Sequence, residues 1–159
     1  MKNNKVLATV QFIIIVLVVE GIGWLSGLLA GDIATKYNHL TQPVLSPPSY
    51  VFGIVWPLLY FMMATAFFIA LRQKNKRYQN RFIGLFVVQL AVNFIWSIIF
   101  FGGNAFWWGL LVIIVLDVLV MFTLKYAYRI HRYAGYLLVP YMLWLLFATY
   151  LTIGTAILN

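Results

Sequence analysis

The sequence contains no cysteine and very few charged residues. Acidic residues number three, and charged residues together make up 9% of the 159 positions. The missing cysteine excludes disulfides, thiolate catalysis and cysteine-ligated metals or clusters. Soluble domains carry about 25% charged residues, so this scarcity argues against a soluble fold. Hydrophobic residues make up 64% of the chain, and lipid is the natural solvent for that much apolar surface.

Motifs for conventional catalysis and metal binding are also missing. The sequence has no nucleophile motif and no phosphate-binding glycine loop. Its only histidines, His39 and His131, fall in loops predicted on opposite faces, and no pair of His, Asp or Glu has ligand spacing on one helix. We therefore predict no metal site, no required cofactor and no conventional catalytic constellation.

Five long apolar stretches dominate what is present. A helix of about 20 apolar residues crosses a bilayer, and each stretch meets that length. Continuous runs such as residues 12–19 do not alternate as β-barrel strands do. We predict an all-α integral membrane protein, a bundle of five transmembrane helices in one domain of residues 1–159. The predicted helices span about residues 6–29, 50–71, 82–101, 106–126 and 134–158.

Basic residues are concentrated on one side of this predicted bundle. With five crossings, ten of the eleven lysines and arginines lie on the side of the N-terminus, and only Lys36 lies on the other. The positive-inside rule then predicts a multi-pass protein of the cell membrane with a cytoplasmic N-terminus and Asn159 outside. The net charge of +8 is explained by topology, so we expect no nucleic-acid partner.

Polar residues inside the predicted spans are few. They include two acids, Glu20 and Asp117, and two amides, Gln89 and Asn93. Ionisable groups in lipid are costly and usually face the protein interior or water. The two acids could form a proton or ion pathway, or they could make interhelical hydrogen bonds with one or both protonated. We favour the hydrogen bonds.

Aromatic residues make up 18% of the chain, and many recur at helical spacing. Such spacing places a set of side chains on one helix face. Two interpretations stay open: packing surfaces or interface belts, or walls of a cavity that holds a flat, mostly apolar ligand by stacking and one or two hydrogen bonds. The sets are Phe52, Trp56 and Tyr60; Gln89, Asn93, Trp96 and Phe100; and Tyr141, Trp144, Ala148, Leu151 and Thr155.

Glycines recur every four residues in the first span, at Gly23, Gly27 and Gly31. Small residues at that spacing let helices approach closely. An oligomer contact and internal packing are equally compatible with this stripe.

Four segments, in order, resemble the translocator protein family, also called the TspO or peripheral benzodiazepine receptor family, and in particular its bacterial members. They are YNHLTQPVLSPP at 37–48, VFGIVWPLLY at 51–60, QLAVNFIWSIIFF at 89–101 and PYMLWLLFA at 140–148. The resemblance covers nearly all of residues 31–158. It implies a five-helix bundle, usually a homodimer, that binds porphyrins such as protoporphyrin IX within the bundle. It also implies binding of isoquinoline-carboxamide and benzodiazepine-type drugs.

The resemblance further implies which residues form the site. The cavity residues carried over by position are Trp56, Tyr60, Asn93, Trp144 and Ala148, with Phe52, Phe147 and Leu151 as flanking walls. The loop before the second long helix resembles a lid, with His39 and Pro47 near its mouth. A tetrapyrrole is expected to stack on Trp56 and Trp144 and to accept or donate a hydrogen bond at Asn93. Light-dependent oxidative breakdown of porphyrin is also implied, with these two indoles as candidate reactive partners.

Several positions depart from the family pattern. Gln42 and Leu45 stand where the family has a lysine and a tryptophan around Pro43, so the lid lacks both. No basic residue follows Tyr150, and sterol binding by the C-terminal motif is therefore not supported. The family's small-residue dimer pattern in the third span is interrupted by Val88.

Three functions follow from these observations. The leading hypothesis is a membrane protein that binds porphyrin. The alternatives are a transporter or export regulator for porphyrin or another amphiphile, and a stress-response sensor that signals through a partner. Five helices show no inverted repeat, which counts against secondary transport.

Overall fold

The computed structural model describes residues 2–73 and 76–159, and every regular element in these residues is helical. Five helices are long and apolar enough to cross a membrane. The predicted all-α bundle of five spans is thereby confirmed. In chain order the elements are α1 (Lys2–Ala30), α2 (Ile33–His39), α3 (Tyr50–Leu71), α4 (Lys76–Ser97) with a π-helical segment (Ile98–Gly102), α5 (Phe106–Ile130) and α6 (Arg132–Leu158).

The long helices extend further than the apolar stretches that predict them. Helix α4 begins at Lys76 rather than near residue 82, and α5 continues to Ile130 rather than ending near residue 126. Lysine, arginine and glutamine are good helix formers, so the helix continues past the apolar run. An apolar stretch marks the part of a helix that suits hydrocarbon, and it does not mark the helix ends.

The five long helices form a closed ring. Helix α1 packs on α3, α3 on α6, α6 on α5, α5 on α4, and α4 on α1. Helix α1 is the peripheral member, because only 6% of its most apolar stretch is buried inside the bundle, against 28–33% for the other four spans. It is tied to α4 where the Ser26 hydroxyl donates to the Phe94 carbonyl at 2.8 Å. Most of the α1 surface therefore lies on the outside of the bundle.

The π-helical segment widens the last turn of the third span. The Gly103 amide donates to the Ile98 carbonyl, five residues back, at 2.9 Å. The extra residue in this turn lets two consecutive rings, Phe100 and Phe101, both point into the protein, where they are 4% and 6% exposed. The helical stripe read from the sequence contained Phe100 alone.

A short helix, α2, lies within the stretch that the sequence suggested was a connecting loop. Gly31 ends α1 with a φ of 84°, a conformation that glycine adopts without steric cost. Asp32 then caps α2, because its carboxylate accepts bonds from the Thr35 amide at 3.1 Å and the Thr35 hydroxyl at 2.6 Å. These bonds lower the pKa of Asp32 below its ordinary value.

Lys36 of α2 fastens two helix ends together. Its ammonium group donates to the Ala30 carbonyl at the end of α1 and to the Phe101 carbonyl of the π-helical segment, both at 2.9 Å. The last carbonyls of a helix have no partner within the helix, and a cation there is favoured by the helix dipole. The only basic residue predicted on this side of the membrane is thus committed to capping.

We expect Lys36→Met to lower the free energy of unfolding by about 2 kcal/mol, because hydrogen bonds to charged groups contribute about 1.5–3 kcal/mol. Thermal unfolding in mild detergent measures the change. Lys5→Met is the matched control, since Lys5 is exposed near the start of α1. Equal unfolding temperatures for both variants would contradict the capping role.

Candidate functional site

Four buried polar side chains form a continuous hydrogen-bonded chain across the bundle. The Tyr60 hydroxyl of α3 donates to Asn93 Oδ1 of α4 at 2.8 Å. Asn93 Nδ2 donates to the Tyr141 hydroxyl of α6 at 2.8 Å. The Tyr141 hydroxyl in turn donates to Gln89 Oε1 at 2.9 Å. We call these four residues the polar network; it joins α3, α4 and α6 deep in the protein.

The polar network gives partners to most of its buried polar groups, although Gln89 Nε2 has none among the described residues. Gln89, Asn93 and Tyr141 are each 1% exposed, and buried polar groups without partners are costly. Asn93 uses both its oxygen and its nitrogen within the network. Any ligand that bonds to Asn93 must therefore share this amide with Tyr60 or Tyr141.

A cavity of about 370 Å³ adjoins the network. Its walls come from α1, α2, α3, α6 and the third span with its π-helical segment. The aromatic wall consists of Phe52, Trp56, Trp96 and Phe101, and smaller residues including Gly27 and Ala148 complete the lining. Ligand sites are typically about 300–1,000 Å³ and mostly apolar, with a few polar groups. The size and lining of this cavity suit a flat aromatic molecule.

Trp56 connects the cavity wall to the polar network. Its ring lies 5.7 Å from the Tyr60 ring, at 31°, and 6.5 Å from the Tyr141 ring, at 66°. Trp96, on the same cavity, stacks on Phe100 at 5.3 Å and 15°. The buried Trp96 Nε1 has no hydrogen-bond partner among the described residues. This indole N–H is therefore an unused donor on a residue that lines the cavity.

The structure brings together only part of the predicted site. Phe52, Trp56 and Ala148 line the cavity, while Tyr60 and Asn93 belong to the adjoining polar network. The other predicted residues do not line this cavity within the described chain. They are Trp144, Phe147, Leu151, His39 and Pro47.

These other residues are placed as follows. Trp144 packs against Phe52 at 5.8 Å and against Phe147 at 5.6 Å. The expected stacking of one ligand on both Trp56 and Trp144 stays a prediction. Leu151 is buried, and His39 is exposed at the end of α2. Pro47 accepts a bond from the Tyr37 hydroxyl at 2.9 Å; burial raises the pKa of this phenol above its ordinary value.

Trp96, Phe101 and the α1 glycines are cavity residues that the sequence did not single out as such. Trp96 belonged to the helical stripe of the third span, which was the available signal; Phe101 reaches the wall only because of the π-helical turn. A Cβ on Gly23 would lie 2.2 Å from the Tyr60 ring, so this glycine serves internal packing. Gly27 lines the cavity, with open space beyond its Cα.

The loop between α2 and α3 is held against the end of α6, as a lid would be. The Thr41 amide donates to Asn159 Oδ1 at 2.9 Å, and Asn159 Nδ2 donates back to the Thr41 carbonyl at 3.1 Å. The Tyr150 hydroxyl donates to the Val44 carbonyl at 2.5 Å. Pro43 packs directly on Gly154, where a Cβ would come within 2.5 Å of its ring.

The two membrane acids occupy different surroundings. Asp117 of α5 accepts a hydrogen bond from the Thr149 hydroxyl of α6 at 2.8 Å, which is an interhelical bond of the kind favoured from the sequence. Glu20 lines a separate groove between α1 and α3. Among the described residues, no cluster of three or more His, Cys, Asp or Glu could hold a metal ion.

Fold and site together define a class: an α-helical membrane protein of five spans with an aromatic-walled cavity beside a buried polar network. The TspO/MBR family profile matches residues 14–158, and the chain belongs to this family.

Individual relatives agree with this assignment. The chain is 37% identical to the tryptophan-rich protein TspO of Archaeoglobus fulgidus, over 91% of this chain and 94% of that one. It is 32% identical to the tryptophan-rich sensory protein of Cereibacter sphaeroides, over 77% and 76%. It is 30% identical to the translocator protein of Homo sapiens, over 78% and 75%. The family resemblance seen in the sequence is confirmed.

We expect Tyr141→Phe to destabilise the protein more than Tyr60→Phe. The first change leaves two buried amide groups unpaired, on Asn93 and Gln89, and the second leaves one. At about 1–3 kcal/mol for each unpaired group, the expected losses are about 2–6 and about 1–3 kcal/mol. Thermal unfolding of ligand-free protein in detergent gives both values. A Tyr60→Phe effect as large as that of Tyr141→Phe would contradict the order of bonds described above.

Proposed function

We propose that this protein binds porphyrins such as protoporphyrin IX in the cavity next to the polar network. The observation that carries the proposal is the aromatic wall of Phe52, Trp56 and Trp96 around about 370 Å³. A tetrapyrrole is flat and largely apolar, and aromatic side chains hold such surfaces by offset stacking and area burial. Membership of the TspO/MBR family supports the same ligand class.

The binding mode that we propose places the macrocycle against Trp56. Trp96 contributes its ring to the wall, and its Nε1 atom is buried among protein atoms. Asn93 bonds to Tyr60 and Tyr141, whose rings contact Trp56, and it thereby fixes the position of the wall. The hydrogen bond from Asn93 to a ligand, which the resemblance implies, stays a prediction. Flat aromatic drugs of the isoquinoline-carboxamide and benzodiazepine types would use the same wall. A homodimer, expected from the resemblance, stays a prediction.

We expect Trp56→Leu to weaken protoporphyrin IX binding about tenfold, since an aromatic contact contributes about 0.5–1.5 kcal/mol beyond the area it buries and about 1.4 kcal/mol corresponds to a factor of ten. Titration of detergent-solubilised protein, followed by quenching of tryptophan fluorescence, gives the dissociation constant. Trp144→Leu should have a smaller effect, because Trp144 contacts the wall residue Phe52 and does not itself line the cavity.

Trp108→Leu is the control for this series, because Trp108 is 67% exposed near the start of α5 and lies outside the cavity. Its affinity should equal that of the unaltered protein. Unchanged affinity in Trp56→Leu, or equal losses in Trp56→Leu and Trp108→Leu, would contradict binding at this cavity.

We also propose that the N-terminus lies in the cytoplasm and Asn159 on the outer side of the cell membrane. The support is the charge distribution: Arg72, Arg77 and Arg81 lie at the α3–α4 end of the bundle, together with the basic residues at the start of α1 and at the α5–α6 turn. Cytoplasmic loops carry an excess of lysine and arginine.

A single introduced cysteine tests this orientation, because the chain has none. Asn38 of α2 and Asn80 of α4 are both exposed and belong to opposite ends of the bundle. In intact cells, a membrane-impermeant maleimide should label Asn38→Cys and spare Asn80→Cys, and lysis should expose both. The reverse labelling pattern would invert the topology.

A further inference from the structure

A second concavity lies between α1 and α3, apart from the cavity described above. It encloses about 470 Å³ and is lined by Leu17, Glu20, Gly21, Trp24, Trp56 and Pro57, among others. Leu17 and Trp24 are 66% and 69% exposed, so the concavity opens on the surface that faces lipid. We call it the α1–α3 groove.

The groove contains a carboxyl group near the middle of a membrane-spanning helix. No hydrogen-bond donor and no cation among the described residues contacts the Glu20 side chain. Lys5 precedes it by fifteen residues, roughly 22 Å along a helix. Lys36 is committed to the carbonyls of Ala30 and Phe101. Ionisable groups inside a membrane are expensive and ordinarily mark a functional site with a charge partner, and the part of the chain that the structure describes places none against Glu20.

The remaining lining of the groove suits a cation attached to an apolar body. The indoles of Trp24 and Trp56 both line it, and a cation over an indole face gains about 0.5–2 kcal/mol. Gly21 keeps the α1 side of the groove open, because a Cβ there would meet nothing within 4 Å, whereas Gly23 admits the Tyr60 ring. A carboxyl group beside two indoles can pair with an ammonium group, whereas it offers a carboxylate nothing to bind. A porphyrin with carboxylate side chains is therefore a poor occupant here.

We propose that the α1–α3 groove is a second ligand site, which takes a hydrophobic amine from the bilayer. The protonated amine pairs with Glu20 and lies against Trp24 and Trp56, while the apolar body follows Leu17 along the lipid-facing surface. This site is separate from the proposed porphyrin cavity, although the two share Gly23, Trp56 and Pro57 in their walls. An amine in the groove therefore contacts Trp56 from one side, while the other side of Trp56 lines the cavity.

A pair of matched probes tests the charge requirement. N-dansyl-1,12-diaminododecane carries a free amine, and N-dansyldodecylamine has the same chain without it. With the full chain in phosphatidylcholine nanodiscs, energy transfer from tryptophan to dansyl reports binding above that in protein-free nanodiscs. We expect about tenfold preference for the free amine, the ratio that corresponds to about 1.4 kcal/mol. Glu20→Gln should abolish this preference, and Asp117→Asn, which alters an acid bonded to Thr149 on α6, should retain it.

Filling the groove provides an independent test of its location. Gly21→Leu places a side chain in the open groove and should remove specific binding of both probes. Gly84→Leu is the matched control on α4, since a Cβ on Gly84 also meets nothing within 4 Å and Gly84 does not line the groove. An amine preference that survives Glu20→Gln, or unchanged probe binding in Gly21→Leu, would overturn the proposal.

Protoporphyrin titration of the same variants separates this site from the proposed function. Glu20 and Gly21 do not line the central cavity, so both variants should bind porphyrin as the unaltered protein does. Failure of porphyrin binding in every variant, including the unaltered chain, would remove the proposed function and leave the amine result to stand on its own.

Discussion

Hydrocarbon offers no hydrogen-bond partner, and this constraint governs most of the structure. Each long helix satisfies its own backbone, and the exceptions occur where another group of the protein takes over. At the ends of α1 and of the π-helical segment, the Lys36 ammonium group donates hydrogen bonds to the carbonyls of Ala30 and Phe101. The polar network does the same for side chains, because Tyr60, Asn93, Tyr141 and Gln89 bond to one another, with only Gln89 Nε2 left without a partner among the described residues of the network.

The network also explains how the interior can be hollow beside it. Three helices are held at a defined separation by bonds of 2.8–2.9 Å, and the rings of Phe52, Trp56 and Trp96 then meet around the cavity without filling it. Helix α1 closes one side through glycines, with Gly23 admitting the Tyr60 ring. Helix α1 is largely unburied, and its glycines line both the cavity and the groove. This one helix therefore separates both concavities from the outside of the bundle. A hydrogen-bonded core and a lightly attached wall suit the proposed entry of ligands from the membrane.

Comparison of particular residues shows how far sequence patterns reach. Helical spacing correctly grouped Phe52, Trp56 and Tyr60 on one face, and Asn93 with Trp96 on another, because the 3.6-residue period holds along an undistorted helix. It failed at Phe101, because the π-helical turn changes the period locally. It also could not separate Trp56 from Trp144. Both indoles lie on stripes of similar spacing, but Trp56 lines the cavity, whereas Trp144 contacts the wall residue Phe52 and is absent from the lining.

The sequence by itself determined the helix count, the membrane as solvent, the family and the side of the bundle on which basic residues gather. These features depend on composition and on the spacing of residues close together in the chain. Only the tertiary structure decided that Asn93 is occupied by two tyrosines, that Lys36 caps two helix ends, and that Glu20 stands apart from Asp117 in a lipid-facing groove. Each of these depends on which helices are neighbours and how each is rotated, and that information belongs to contacts between residues far apart in the chain.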